Sequence, residues 1–500
     1  MERRKNTNNG VKIIEVCKVA PDPPILSSES APPKSLPLSF FDLRWLKYPP
    51  IQSLLFYELP TLDTKTTPSL LSLFRSDILP RLKHSLSLTL HHYLPLAGNL
   101  TWPESSDKPV INYVESDGDA VPLVVAESDA DFYRLSGTNE GVIKSAEYHP
   151  LVPDLFMSSE RTGLLALQVT TFRDGGFSIG ITTHHVVLDG STVITFLKSW
   201  AHTCRSLGSG QYSYYNYSLV VPDLPLELKP FYDRSVIKDP AGLENLYLKQ
   251  WLDLDGPNNR SLVCFQLKQV FPDSVRGVFH LTRADIQKLR QSVNQYYSGD
   301  DGDHVHASTF SVTYAYVVLC LVKAEGLTKN DDEILVGFGM DCRSRLDPPL
   351  PNTYFGNCLV GCRVVTKTKS LVVDDDNCRS SGLAAATKII SDGIKSLETN
   401  GVLKGAEKWL AIVTPSNFQP ASVPRMYTIS GSPRFGFYSG TDFGWGRPRK
   451  FDIVSLDWSG SISLSDCRDG NGGVEIGLVL SKQHMETFAS LFAQGLESID

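Results

Sequence analysis

Thr182-Thr183-His184-His185-Val186-Val187-Leu188-Asp189-Gly190 decides how the chain reads. It closes an apolar strand and sets a histidine, an acid four residues on and a glycine at the strand's exit. Upstream, Leu164 to Phe172 and Phe177 to Val187 flank Arg173-Asp174-Gly175-Gly176, where Asp-Gly-Gly supplies the positive-φ positions of a hairpin turn. Alternation groups Phe177, Ile179, Ile181, Thr183 and His185 on one face and Ser178, Gly180, Thr182 and His184 on the other, so the two histidines point opposite ways. Downstream, Ser191 reads as a helix N-cap ahead of Val193, Phe196, Leu197, Trp200, Cys204 and Leu207 at helical spacing. Strand, sharp turn and helix in that order bring a strand-end side chain to the mouth of a sheet, where a base can meet a substrate. A single histidine on an apolar strand is also commonly a hydrogen-bonded core residue, so the rest of the chain must decide.

The chain has 500 residues, more than one hydrophobic core usually serves, and two domains are expected. Hydrophobic content of 41% and charged content of 21% are those of a globular protein. With 55 acidic and 48 basic residues the net charge is −7, and the only basic run is Arg3-Arg4-Lys5, so no nucleic-acid partner is expected. The nine cysteines are scattered, and Cys358 and Cys362 alone form a close pair; without further ligand spacing no metal site is expected, and reduced thiols in the cytosol are. No secretory h-region precedes the first strand, and the longest apolar helix, Phe310 to Ala324, is too short to span a membrane. A soluble cytoplasmic monomer is the expectation.

In order, residues 1–10 read as a disordered lead, 11–215 as an N-terminal domain, 216–235 as a crossover loop and 236–500 as a C-terminal domain. Strands are expected at Val11 to Val19, Leu54 to Leu59, Leu262 to Val270 and Ile334 to Met340. Helices are expected over Leu70 to Leu90, broken near Pro80, from Arg283 to Ser292 behind Thr282, and from Phe310. Pro21 to Pro37, Gly299 to Gly302 and the acidic Asp374 to Asp376 read as loops, and His91-His92 as structural.

His185-x-x-x-Asp189-Gly190, with Asp442-Phe443-Gly444-Trp445-Gly446 about 250 residues on, resembles the paired signatures of the BAHD acyltransferases. Leu94-Pro95-Leu96-Ala97-Gly98, Asp341-Cys342-Arg343-Ser344-Arg345-Leu346 and Ser432-Pro433-Arg434-Phe435 fit the same pattern. Tyr354-Phe355-Gly356-Asn357-Cys358 resembles a segment of the anthocyanin and phenolic-glucoside malonyltransferases within that family. The resemblance implies an α/β, two-domain fold like chloramphenicol acetyltransferase, with mixed β-sheets flanked by helices and a channel along the interface. It also implies an acyl-CoA-dependent O-acyltransferase with malonyl-CoA as co-substrate, a glucoside of a phenolic, flavonoid or anthocyanin as acceptor, and no permanently bound cofactor. A hydroxycinnamoyl-CoA transferase or N-acyltransferase of the same fold, and a catalytically dead binding relative, are the alternatives.

For the chemistry, a neutral hydroxyl needs a base near pH 7, and histidine, ordinarily titrating near pH 6.5, suits the task. The coenzyme A thiol leaves readily and no serine elbow is present, so direct attack is expected, with His185 as the base. Asp189 either completes a triad or fixes the turn; the resemblance implies the second, with Asp189 paired to Arg343 in preference to Arg345. Trp445 either donates its indole N–H to the oxyanion or belongs to a packing motif, and Arg343, Asp442, Gly444 and Trp445 are taken as structural support of the site. A malonyl carboxylate further requires a cationic partner, for which Lys198 and an arginine of the second half are both open.

Overall fold

The computed structural model describes residues 10–22, 32–59, 70–137, 143–208, 223–265, 273–298, 305–327, 331–371, 379–410 and 425–499. Most of the expected N-terminal lead, much of the expected crossover and the loops at 299–302 and 374–376 lie outside the described residues.

A six-stranded mixed sheet runs in the order Val11–Val19, Val121–Ser128, Leu165–Phe172, Gly176–Thr183, Ile51–Glu58, Lys450–Ile453. A seven-stranded mixed sheet runs Leu359–Lys367, Glu333–Asp341, Arg425–Gly431, Ile462–Asp466, Val474–Ser481, Ser274–Leu281, Ile143–Lys144. A smaller four-stranded antiparallel sheet holds Ser35–Pro37, Val110–Asn112, Asn99–Thr101 and Arg161–Gly163. Each large sheet thus ends on a strand from the other part of the sequence. Lys450–Ile453 is buried throughout, and Arg276 of the seven-stranded sheet holds it there by bonding Asp452 Oδ1 at 2.9 Å and the Ile453 carbonyl at 3.1 Å.

The central hairpin forms as its turn chemistry dictates: Gly175 takes φ +87°, and Phe177 to Thr183 pair antiparallel with Thr171 to Leu165. Every residue of both strands is buried. One face packs Ile179 and Ile181 into the core shared by helices Leu79–Leu90 and Gly190–Gly208, with Leu82, Leu86 and Trp200. On the other face, Phe172 of the hairpin and Phe56 of the neighbouring strand meet Phe132, Tyr148 and Leu151 in a second core cluster. With both faces covered, the alternation that separates core from solvent in a one-sided sheet carries no such information here.

The seven-stranded sheet packs on helix Thr309–Ala324, buried along almost its whole length, whose Tyr314 hydroxyl reaches the carbonyls of Gly337 and Tyr427 at 2.8 Å each. Thr282 caps helix Arg283–Tyr297 in a reciprocal capping box with Asp285. Pro80 falls in the first turn of helix Leu79–Leu90, where its missing N–H is harmless, behind a π-helical turn at Phe74–Ile78. The strand expected from Leu262 to Val270 is absent at 262–265, the part that is described. There the Leu262 and Phe265 N–H groups bond the carbonyls of Ser159 and Lys47, both in loops, so the segment joins no sheet ladder.

Candidate active site

The strand carrying the signature stops at Thr183, so both histidines stand on the turn that follows it. His184 is fully buried. Its Nδ1 accepts the Val186 N–H at 3.1 Å, its Nε2 lies 3.6 Å from Cys264 Sγ, and burial lowers its pKa to about 3. It is a core residue holding the turn. His185 is half-buried, stacked on the Trp45 ring at 4.0 Å between centroids and met edge-on by Tyr48 at 5.4 Å. Burial lowers its pKa to about 4 and keeps the imidazole neutral at pH 7.

Which nitrogen of His185 carries the proton follows from Asn357. The Asn357 amide nitrogen donates to Asp42 Oδ1 at 3.1 Å and to the His185 carbonyl at 2.9 Å. Reversing that amide would set oxygen against two oxygens, so Oδ1 faces His185 Nδ1, 3.2 Å away. An acceptor at that distance requires Nδ1 to hold the hydrogen, leaving the Nε2 lone pair free to take a proton. Asp42 is itself held on both oxygens: Oδ1 also takes the Asn357 N–H at 2.9 Å, and Oδ2 takes Ser39 Oγ at 2.7 Å and Arg234 at 3.1 Å. Arginine, carboxylate, amide and imidazole form one connected line. Neither Asp42 nor Asn357 was singled out from sequence. Asn357 was read only as part of a subgroup segment, and its position two residues from Phe355 gave no sign that it meets a turn 172 positions earlier.

Asp189 points elsewhere. Its Oδ1 accepts the Thr192 N–H at 2.9 Å and the Thr192 hydroxyl at 3.0 Å, and its Oδ2 accepts the Cys358 N–H at 3.0 Å. Arg343 meets both oxygens, Nη2 to Oδ1 at 3.1 Å and Nη1 to Oδ2 at 2.9 Å, with both side chains almost wholly buried. Burial alone would raise the Asp189 carboxyl; the arginine's charge and hydrogen bonds outweigh it and hold the group below its ordinary range. Arg345 is engaged with Glu398 at 2.8 Å. Asp189, and not Ser191, caps helix Gly190–Gly208. The carbonyl of Asp189 takes the Val193 N–H and its carboxylate the Thr192 N–H, a double role for which serine lacks the charge to satisfy Arg343 as well. Gly190 is required by close approach: a Cβ there would lie 2.6 Å from the Phe435 ring.

The second signature lies at the far end of the same helix. Asp442 Oδ1 accepts the N–H groups of Gly444 and Gly446 at 2.8 and 3.0 Å, folding a turn in which those glycines take φ +107° and +98°. Phe443 is buried edge-on against Tyr57 and Trp200, and a Cβ on Gly444 would lie 3.7 Å from Arg205 Cα. The Arg81 guanidinium lies 3.9 Å over the Trp445 ring, which also meets Phe177 edge-on. Gly190 and Arg205 are separated by about 22 Å of helix at 1.5 Å per residue. The Trp445 indole is therefore out of reach of an oxyanion formed at His185, and of the two readings open in the sequence the packing one fits this position.

Among the described residues no group of three or more His, Cys, Asp or Glu is placed to hold a metal ion, and no helix is long and apolar enough to cross a membrane. A cavity of about 510 Å³ lined by His280, Arg283, Arg449, Arg468 and Asp469 lies apart from His185. Cys358, whose sequence partner had been Cys362, lies instead 3.2 Å from Cys342, thiol to thiol, behind the Asp189 carboxylate.

Residues 19–494 match the model of a transferase family. The malonyl-CoA:anthocyanidin 5-O-glucoside-6''-O-malonyltransferase of Arabidopsis thaliana is 40% identical over 98% of this chain and 100% of its own length. Phenolic glucoside malonyltransferase 1 of the same plant is 38% identical, covering 98% of each chain. Among solved structures, vinorine synthase superposes with a TM-score of 0.61 at 19% identity, over 96% of this chain and 98% of that one, a likeness of fold.

Proposed function

The chain belongs to the BAHD acyltransferases, the transferase family whose model spans it, and from that premise we propose that it moves a malonyl group from malonyl-CoA to a sugar hydroxyl of a phenolic, flavonoid or anthocyanin glucoside. The observation that carries the chemistry is the fixed tautomer of His185, whose Nε2 is left free by Asn357. The relatives' names supply the donor and the acceptor class.

In this reading the acceptor hydroxyl gives its proton to His185 Nε2 as its oxygen attacks the thioester carbonyl. The tetrahedral intermediate then expels the coenzyme A thiolate, which recovers that proton from Nε2. Atoms and charge balance without an enzyme-bound acyl group. A sugar hydroxyl is far too weak an acid for a neutral imidazole to ionise in advance, and burial weakens the His185 base further, so proton transfer accompanies C–O bond formation. Asp189 and Arg343 then act on position: a buried ion pair that locks the turn, the helix start and the Gly356–Cys358 backbone. Asp442, Gly444 and Trp445 anchor the other end of the helix.

The same reading takes the two sheets as two acyltransferase domains, each completed by a strand of the other, with a substrate channel between them reaching His185. The eight described cysteines are all free thiols, which supports a cytosolic enzyme, and a monomer is proposed with it. The test is thioester consumption with malonyl-CoA and p-coumaroyl-CoA at equal concentration on a panel of phenolic glucosides. Malonylated product should dominate; dominant coumaroylation overturns the donor and leaves the role of His185 standing.

A further inference from the structure

Arg44 is a buried cation whose anion is missing. The residue is 7% exposed, directly follows helix Phe40–Leu43, and forms no ion pair among the described residues. Its Nε is buried with no hydrogen-bond partner, and so is the Trp45 Nε1 next to it. The guanidinium instead lies over two indoles, 4.9 Å from the Trp45 ring and 5.3 Å from that of Trp409, beside Gly361, where a Cβ would approach Nη2 to 3.2 Å. Burial lowers its pKa to about 10, with no carboxylate among the causes, so it remains charged at pH 7.

A guanidinium in such a place is costly unless an anion joins it. Three other cations of the centre are already committed: Arg343 to Asp189 and Asp341, Arg234 to Asp42, and Lys198 to the Phe435 carbonyl at 2.6 Å. Lys47 is also buried, but its ammonium lies toward the Trp251 ring, 5.7 Å from the centroid, whereas Arg44 lies over the indole that stacks on His185. Location supplies the second half of the inference. The Trp45 ring that lies under Arg44 is the ring stacked on His185. In a malonyl thioester the carboxylate is one methylene from the carbonyl under attack, so its receptor must lie beside the base.

We propose that Arg44, with the Trp45 indole N–H, binds the free carboxylate of the donor acyl group and thereby selects malonyl over uncharged acyl thioesters. This rests on the malonyl-transfer reading above. The guanidinium's planar fork suits a carboxylate, and the flanking indoles exclude water from the pair. Occupation by the ligand satisfies two donors that the folded chain leaves open.

The test compares kcat/KM for malonyl-CoA and acetyl-CoA, with a neutral phenolic glucoside as acceptor, in the wild type and in Arg44→Leu. The malonyl-to-acetyl ratio should fall about 100-fold, the usual scale for removing one partner of a buried charge pair. The melting temperature should hold or rise, because an uncompensated charge has gone. Should Arg44→Leu fold poorly, Arg44→Gln gives the same readout, and Arg44→Lys should retain most of the preference. A ratio that survives in a folded variant overturns the site. A loss confined to acceptors that carry a carboxylate assigns the guanidinium to the acceptor and also overturns it. A wild type indifferent between the two donors sinks the malonyl reading itself, a result visible before any variant is made.

Discussion

Helix Gly190–Gly208 has a turn at each end, and the two differ in what they bury. At its start, the turn at Asp189 closes over a wholly buried ion pair with Arg343, and His185 hangs from that frame on a single amide. At its other end, Asp442 to Gly446 is partly exposed and is built from glycines with positive φ, a wedge of Phe443, and an arginine lying on Trp445. Both turns fix the same helix. On the proposed reaction the first must hold an atom to a fraction of an ångström for proton transfer, and it uses charge, which is directional and costly to misplace. The second has only to hold a surface and uses packing, which tolerates small shifts.

The comparison breaks most sharply at His185. Replacing it by alanine should lower kcat by about 10³-fold or more, with acyl-CoA binding retained by calorimetry and the melting temperature nearly unchanged. In the wild type, kcat should stay level from neutral pH downward and fall only as pH drops through about 4, where the folded imidazole takes up its proton. A fall beginning near 6.5 would show an imidazole open to water.

Asp189→Ala comes next, and its effect should appear first in stability. Leaving Arg343 buried without its main partner should cost about 3 kcal/mol or more in urea unfolding. A variant as stable as the wild type but inactive would make Asp189 part of the chemistry and dissolve the contrast.

Asn357→Ala should reduce kcat by several-fold to about 10-fold, because either nitrogen of His185 is then free to carry the hydrogen. Asn357→Gln at full activity would show that the tautomer is set elsewhere. Trp445→Ala should show the smallest effect, about 1 kcal/mol from the lost cation–π and edge contacts, with kcat within a few-fold of wild type. A 10³-fold fall in kcat in that variant, with normal stability, would mean that the far turn reaches the reaction after all.

The signature turn was legible because its determinants are local: Asp174-Gly175-Gly176 sets the hairpin, and His185 and Asp189 lie four residues apart on its exit. What surrounds His185 was not legible, since Asp42 and Asn357, 315 positions apart in sequence, meet only in the folded chain. The helix cap went to Asp189 over Ser191 because only a carboxylate also answers Arg343, a partner from beyond the turn. Face alternation lost its meaning in a hairpin covered on both sides. The exchange of edge strands left no trace in composition or periodicity, because Lys450–Ile453 is apolar or buried like any strand of its own half.

That exchange sets a timetable for synthesis. Strand Ile51–Glu58 pairs on one side with Gly176–Thr183, available early, and on the other with Lys450–Ile453, near the end of the chain. At about 5–20 residues per second, the ribosome delivers the second partner roughly 20–80 s after the first strand has emerged. Once Gly176–Thr183 has paired and until Lys450–Ile453 arrives, the nascent sheet carries an open hydrogen-bonding edge flanked by Leu54, Leu55 and Phe56, a template for pairing with the wrong chain. Chaperone demand during translation should therefore track the time needed to reach residue 453, and slowing codons placed between the two strands should lower the soluble yield without altering a single residue of the product.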